Sequence, residues 1–387
     1  MFSRPHPSSP ETIALPWQGH RTPHATLDIL RECNIACPGC FNNQPPATKD
    51  LGQLRRELDQ LLALRRLHTI TLSGGEPLLH PDLPDIIRLI RRRNLRVAIL
   101  TNGLLLDAGR AENLRRAGTD AILLHIQQNQ SRADAPSPSD PGGWRKLRAS
   151  KARLVAESRM AAGLAHIASA NTLPELLETV EEMLESPHLE FMLITAQTDF
   201  ARFRRVRGDV LCGLRADDGP GPFRPLSIET VRGELQRKNM VPFAHVGSFF
   251  NPDRPRWLTY LSATLRSPRG LRRRSVAAAR SDRFFMELMH RLHGRYSFFY
   301  RAGAARLRFQ LLFNVLSGGA RLAEALSFIA ASLVPGRTLV EKHIVFQEGP
   351  EWLPDGSIDF CRDCPDATIR NGHLVPLCLA DRIEQAP

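Results

Sequence analysis

The alternation of short apolar strands with amphipathic helices between residues 26 and 194 is the feature that most constrains the fold. The pattern predicts six strands, over residues 26–30, 69–72, 97–100, 121–126, 165–168 and 191–194. The helices between them begin after Asp50 and then cover residues 82–93, 107–117, 144–161 and 173–185. Strands that alternate with helices form a parallel sheet with the helices outside it. The sequence therefore predicts an α/β fold, but periodicity alone does not separate a curved barrel from an open, doubly wound sheet.

A run of three cysteines follows the first predicted strand. Cys33, Cys37 and Cys40 have the spacing C-x3-C-x2-C, and Pro38 and Gly39 mark the stretch as a loop. Three cysteines so close together cannot all pair as disulfides. A zinc site would need a fourth ligand, which His20 or His24 could supply. Three thiolates can instead hold a four-iron cluster and leave one iron without a protein ligand.

Two further motifs follow in order. Ser73-Gly74-Gly75-Glu76-Pro77 ends the second predicted strand, and Leu100-Thr101-Asn102-Gly103 ends the third. Together with the cysteine loop, this set resembles the radical S-adenosylmethionine (radical SAM) superfamily over residues 23 to 200. The resemblance implies a partial (β/α)6 TIM-like barrel, a [4Fe-4S] cluster on Cys33, Cys37 and Cys40, and SAM bound to the open iron. Many members have an aromatic residue just before the last cysteine, whereas here that position is Gly39 and Phe41 follows the cysteine.

Several side chains are expected near the bound cofactor, because ligands gather at the carboxyl ends of parallel strands. Glu76 is predicted to accept a hydrogen bond from the ammonium group of SAM. Gly74 and Gly75 would let the backbone approach the ligand, and Pro77 would fix the turn. The remaining candidates for cofactor binding are Phe41, Thr101, Asn102, His125 and Gln127. For the last four, ordinary polar groups at strand ends remain an equal alternative.

A second group of cysteines lies near the C-terminus. Cys361 and Cys364 form a C-x2-C pair, and Cys378 follows a predicted turn at Asn371-Gly372. This tail resembles the auxiliary-cluster tails of some radical SAM enzymes, which implies an auxiliary iron-sulfur cluster on these three cysteines. Cys212 or His373 could complete the ligand set, and a zinc knuckle is the alternative.

The chain is predicted to have four parts. These are an N-terminal arm (1–22), the radical SAM core (23–200), a basic, aromatic and largely helical region (201–345) and the cysteine tail (346–387). In the third part, Phe284, Phe285, Leu288, Met289 and Leu292 are predicted to share one helix face. That face could pack on the open side of the barrel as a lid, or bind a lipid or membrane surface.

The function expected from these features is reductive cleavage of SAM and hydrogen abstraction from a lipid or small metabolite. The alternatives are a radical SAM enzyme that modifies a peptide or RNA, and a non-catalytic iron-sulfur redox sensor. The net charge of +12 is compatible with RNA, but no RNA-binding module is recognisable. The expected partners are the substrate and a flavodoxin- or ferredoxin-like electron donor. A cytoplasmic location, peripheral to a membrane if lipid is the substrate, is expected from the reduced cysteines, the lack of a signal peptide and the lack of a spanning segment.

Overall fold

The computed structural model describes residues 12–37, 40–42, 45–137, 140, 142–198, 226–268, 270–276, 278, 280–293, 304–316, 322–353, 355 and 357–382. Pro38, Gly39 and Cys212 lie outside these residues, as do residues 1–11 of the predicted N-terminal arm. The side chains of Phe285 and Met289 are likewise outside the description.

Fifteen strands and nine α-helices are present in the described part of the chain. The strands are β1 (Ile13–Ala14), β2 (His24–Leu30), β3 (Thr69–Gly74), β4 (Arg96–Thr101), β5 (Ala121–Leu124), β6 (Ala161–Ala168), β7 (Leu189–Ala196), β8 (Pro242–Gly247), β9 (Pro255–Ser267), β10 (Gly270–Val276), β11 (Thr338–Gln347), β12 (Glu351–Trp352), β13 (Ile358–Asp359), β14 (Ala367–Arg370) and β15 (His373–Pro376). The helices are α1 (Leu51–Leu64), α2 (Leu83–Arg91), α3 (Ala108–Ala117), α4 (Gly143–Glu157), α5 (Leu173–Glu185), α6 (Ile228–Arg237), α7 (Arg280–His293), α8 (Ala304–Leu316) and α9 (Leu322–Ser332).

Strands β2 to β7 are the six predicted strands, and they are parallel neighbours in chain order. Helices α1 to α5 connect them, and the apolar residues of α1 and α2 that the sequence places on one face are buried. Asp50 caps α1 through its side chain, as predicted, and Gly118 ends α3 in a left-handed conformation. The prediction of a partial, TIM-like barrel is confirmed, since consecutive parallel strands with helical crossovers form such a sheet.

The region after residue 225 differs from the prediction of a largely helical segment. It contains helices α6 to α9, but strands β8 to β11 extend the sheet beyond β7. β11 pairs parallel with β7, and β9 pairs antiparallel with both β11 and β8. Ten consecutive residues of β9 are buried, so it lacks the polar alternation of a half-exposed strand. The neighbouring strand β10 pairs antiparallel with β9 and is rich in arginine. Its sequence therefore does not show the apolar alternation that would indicate a strand.

The predicted apolar face of α7 is only partly correct. Met286 is buried, whereas the Phe284 and Leu292 side chains are 63% and 67% exposed. The buried face of α7 therefore includes Met286 and excludes Phe284 and Leu292. In the described part of the chain, no helix combines the length and the apolar character needed to cross a lipid bilayer.

The cysteine tail contacts two separate parts of the sheet. On the β2 side, the His24 ring bonds the carbonyl oxygen of Pro365 at 2.9 Å and approaches Asp366 at 3.1 Å. On the β8 side, the backbone of Cys361 forms a bridge with Ser248. The Arg362 N–H also donates to the carbonyl oxygen of Gly247 at 3.0 Å. The tail thus contacts both β2 and the residues at the end of β8.

Candidate functional site

A cavity of about 490 Å³ opens at the carboxyl ends of the parallel strands. It has the size of typical ligand pockets. Five of the six metal-binding cysteines predicted from the sequence line it: Cys33, Cys37, Cys40, Cys364 and Cys378. Phe41, Gly74, Gly75, Glu76, Thr101, Asn102 and His125 line it as well. Both cysteine groups therefore face one shared space, which the sequence did not indicate.

The cysteine loop is closed at its base by a reciprocal pair of hydrogen bonds. The Arg31 guanidinium donates to the Asn42 side-chain oxygen at 3.2 Å, and the Asn42 amide donates to the Arg31 carbonyl oxygen at 2.9 Å. Arg31 also forms an ion pair with the buried Asp28 at 2.7 Å. These contacts hold the two ends of the loop together, so that its cysteines project as one group.

The loop after β5 supports the cysteine loop from the other side. The Ser131 N–H donates to the Ala36 carbonyl oxygen at 2.9 Å, and the Gln130 amide donates to the Cys37 sulfur at 3.6 Å. Arg132 is buried and donates to both Gln130, at 3.0 Å, and the Asn102 carbonyl oxygen, at 3.1 Å. The sequence reading missed Gln130 and Arg132. Both residues lie in a polar loop at the carboxyl end of a parallel strand, and that position could have indicated a role in the site.

Amide donors and a cation surround the cysteine sulfurs. The Asn102 amide donates to the Cys33 sulfur at 3.9 Å, besides its 2.8 Å bond to Asn34. Burial, together with the neighbouring Cys40 and Cys33, raises the pKa of Cys37 to about 12. Gln130 and Arg132 oppose this rise. Donors of this kind stabilise metal-bound thiolates, so the residues present suit an iron-sulfur cluster.

Glu76 is buried and bound by the chain itself. One carboxylate oxygen accepts hydrogen bonds from the Leu78 N–H at 3.0 Å and the Thr101 hydroxyl at 2.6 Å. The other accepts from the Asn102 N–H at 2.8 Å. Burial raises the pKa of Glu76, and these hydrogen bonds act against the rise. Because a carboxylate can accept about four hydrogen bonds, one position remains for a ligand donor.

Gly74 and Gly75 are required by close backbone contacts within the protein, whereas the sequence predicted close contacts with a ligand. A Cβ on Gly75 would lie 1.9 Å from the Glu32 carbonyl oxygen, and one on Gly74 would lie 2.2 Å from that of Leu30. Gly74 also has a φ of 131°, which disfavours side chains. The close approach is thus to the start of the cysteine loop, where the Gly75 and Glu76 N–H groups donate to Leu30 and Glu32. The two glycines therefore allow the start of the cysteine loop to pack directly against the end of β3.

Two candidates lie behind the cavity rather than on it. Pro77 is buried at the start of a short 3-10 helix and does not line the cavity. Gln127 is also absent from the lining, although the sequence predicts it in the same mouth as His125. Its side chain bonds the His125 ring at 2.9 Å and both backbone groups of Ile167. Gln127 therefore orients His125, whose pKa is lowered by burial.

The three tail cysteines lie close together. Cys361 and Cys364 are buried. The pKa of Cys364 is raised mainly by a hydrogen bond with Cys361 and, to a smaller extent, by burial. Burial also raises that of Cys378, with a further contribution from Cys361. His373 is exposed at the start of β15 and does not line the cavity.

No point in the described part of the chain has three His, Cys, Asp or Glu side chains arranged around it to hold a metal ion. Both ring nitrogens of His24, one alternative zinc ligand, are engaged by Thr71 and by Pro365 and Asp366. The alternative of a zinc site completed by His24 is therefore not supported by the geometry.

Comparisons with known proteins agree with the motifs. Residues 27–136 match the family described as the radical SAM superfamily. The PqqA peptide cyclase of Gluconobacter oxydans is 30% identical over 163 residues, which cover 40% of this chain and 45% of that protein. The GTP 3',8-cyclase of Chlorobaculum tepidum is 32% identical over 112 residues, or 28% of this chain and 34% of that protein.

The chain spans less than half the length of these curated relatives. Among solved structures, Streptococcus suis SuiB bound to the precursor peptide SuiA matches with a TM-score of 0.36 and 16% identity. That match covers 49% of this chain and 41% of SuiB. The family match spans the segment that holds the cysteine loop and the two glycine-containing motifs. This segment of the chain, residues 27–136, is therefore a radical SAM domain.

Proposed function

We propose that this protein is a radical SAM enzyme that modifies a peptide. The observation that carries the proposal is the convergence of Cys33, Cys37, Cys40, Glu76 and Asn102 on one cavity. When bound together, a [4Fe-4S] cluster and SAM supply a one-electron cleavage that yields methionine and a 5'-deoxyadenosyl radical able to abstract hydrogen. The chain's own residues bind and orient these groups.

Each residue has a definite task in this proposal. The three cysteines hold the cluster, and the amides of Asn102 and Gln130 donate to two of the sulfurs. Glu76 offers its remaining acceptor position to the ammonium group of SAM, a charge-assisted hydrogen bond. Thr101 keeps the carboxylate in place through its hydroxyl group. Cys364 and Cys378, with Cys361, are proposed to hold an auxiliary cluster that faces the same cavity.

A peptide substrate is favoured over the lipid or small metabolite that the sequence first indicated. The lipid reading rested on the aromatic helices, yet no described residue of α7, α8 or α9 lines the cavity. The cavity is bordered instead by β11 and the tail, so the predicted helical lid is replaced by other elements. Relatives named PqqA peptide cyclase support the peptide reading.

The relatives named GTP 3',8-cyclase raise a second candidate substrate. A nucleoside triphosphate carries several negative charges that proteins bind with Arg, Lys or a metal ion. Among the described residues that line the cavity, Arg31 is the one basic side chain besides histidine, and it is already paired with Asp28. This charge balance favours a peptide over a triphosphate.

The test uses the full chain, reconstituted anaerobically with iron and sulfide and reduced in the presence of SAM. We expect the wild-type protein to form 5'-deoxyadenosine and the Cys37→Ala variant to form none above background, because two thiolates hold the cluster poorly. Cys364→Ala serves as the matched control and should lose iron while keeping the spectroscopic signal of the first cluster. Full activity of Cys37→Ala would refute the assignment. A wild-type protein that forms no 5'-deoxyadenosine with several reductants would favour the redox sensor.

A further inference from the structure

The wall of the cavity that β6, β7 and β11 form includes a strand that the sequence did not predict, β11. β11 pairs with β7, and β7 with β6, so that Gln347, Thr195 and Ile167 stand side by side in register. Side chains in register on neighbouring strands point to the same face of a sheet. Since Thr195 and Ile167 line the cavity, the register places Gln347 on the same face, and it too is a lining residue.

Gln347 is buried without its full set of hydrogen bonds. Its side chain is at the last position of β11, and the residue is 9% exposed. Its amide oxygen has no hydrogen-bond partner among the described residues. A buried polar atom left unpaired is costly, and native proteins rarely keep one without a reason. A ligand that brings a donor to this oxygen would remove the cost.

The same wall is uncharged. The described lining residues that belong to β6, β7, the residues just after β7 and the end of β11 include no Asp, Glu, Lys or Arg. The imidazole of His166 on β6 is neutral near pH 7, because burial lowers its pKa to about 3. The charged lining residues Arg31, Glu76 and Asp366 lie instead on the side of β2, β3 and the tail.

We propose that Gln347 is a substrate-binding residue that hydrogen-bonds an uncharged amide, as found in a peptide backbone. This inference rests on the proposed function and deepens it. A carboxamide has both an acceptor and donors, and a peptide group presents the complementary pair. Thr195 and Gln197, which line the same wall, add further uncharged donors and acceptors. The wall thus selects against phosphate and carboxylate groups, which would enter without a cation to pair with.

The first experiment tests whether the Gln347 side chain contributes to the stability of the folded protein. Gln127 is the matched control, since it is 8% exposed but hydrogen-bonded at both ends of its amide. Gln127→Met should lower the urea midpoint because it leaves the Ile167 backbone groups unpaired. Gln347→Met, of similar volume, should leave the midpoint unchanged or raise it. A midpoint lowered in Gln347→Met as far as in Gln127→Met would overturn the proposal.

The second experiment measures binding with a defined probe. Reconstituted protein with SAM is dialysed to equilibrium against a library of N-acetylated, C-amidated pentapeptides, with GTP and octanoate in parallel chambers, and bound material is identified by mass spectrometry. We expect the wild-type protein to retain a subset of peptides. Gln347→Met should weaken their retention about two- to tenfold, the range of one net hydrogen bond. Gln236→Met, an exposed position on α6, should have no effect.

The outcomes separate this inference from the proposed function. Formation of 5'-deoxyadenosine by the wild-type protein without peptide tests the radical chemistry alone. If that reaction occurs but no peptide is retained, or Gln347→Met retains peptides as well as the wild type does, the role of Gln347 is refuted while the enzyme assignment stands. Retention of GTP or octanoate in preference to peptides would also refute it. Retained peptides without any 5'-deoxyadenosine would support the binding site and contradict the enzyme.

Discussion

Glu76, the residue proposed to accept a hydrogen bond from the ligand, also connects two strands of the fold. Its carboxylate receives the Leu78 and Asn102 N–H groups and the Thr101 hydroxyl, so it ties the end of β3 to the end of β4. Burial alone would favour the neutral acid, but three donors aimed at the two oxygens favour the anion. The site therefore presents a pre-oriented acceptor rather than a flexible one.

Glu76→Gln is expected to destabilise the protein even though it removes a buried charge. The new NH₂ group must face at least one of the three donors, which leaves that donor unpaired. The expected loss is about 1–3 kcal/mol in the free energy of unfolding, measured by urea denaturation. Thr101→Ser, which keeps the hydroxyl, is the matched control and should lose less. An equal or greater stability for Glu76→Gln would mean that the carboxylate is not held by these donors.

At the scale of elements, strands β2 to β7 were predictable because each is a short apolar run followed by a separate helix. β9 and β11 were not, since β9 is buried along most of its length and its partner β11 is distant in the sequence, with Arg266 paired to Thr338. The same limit applies to the site. Cys33, Cys37 and Cys40 could be found from spacing, whereas Gln130, Arg132 and Gln347 reach the cavity only through the folding of a loop and a distant strand.

The buried imidazole on β6 gives a prediction for pH dependence. Burial lowers the pKa of His166 to about 3, helped by His125 and by Arg148 on α4. Neither ring nitrogen has a hydrogen-bond partner in the described part of the chain. The unfolded chain binds a proton at this residue below its ordinary pKa of about 6.5, while the folded protein does not until about pH 3. Stability is therefore lost as the pH falls below 6.5.

Between pH 7.5 and pH 5.0 the wild-type protein should lose about 2 kcal/mol more stability than His166→Leu. The measurement is urea denaturation of both proteins at several pH values, and the difference between the two slopes isolates this residue from the other titrating groups. Parallel slopes would show that His166 gains its proton as readily in the folded protein as in the unfolded chain.

At the scale of the whole molecule, the tail is connected to the cysteine loop by ion pairs and hydrogen bonds. Arg370 on β14 forms a buried ion pair with Asp28 on β2, and the same carboxylate oxygen pairs with Arg31. Arg31 in turn closes the base of the cysteine loop with Asn42. A chain of contacts therefore runs from the tail hairpin to the loop that carries Cys33, Cys37 and Cys40.

Arg370→Met tests this link, because it removes one of the two arginines that pair with the fully buried Asp28. Removing one partner of a buried ion pair costs about 3 kcal/mol, so the free energy of unfolding should fall by about that amount. Amides of the cysteine loop should also exchange hydrogen faster than in the wild-type protein. Arg88→Met removes an ion pair whose two side chains are 51% and 59% exposed, and it should cost less than about 1 kcal/mol with no change in the loop. If the loop exchanges at the wild-type rate in Arg370→Met despite the lost stability, the tail supports the fold without positioning the cysteines.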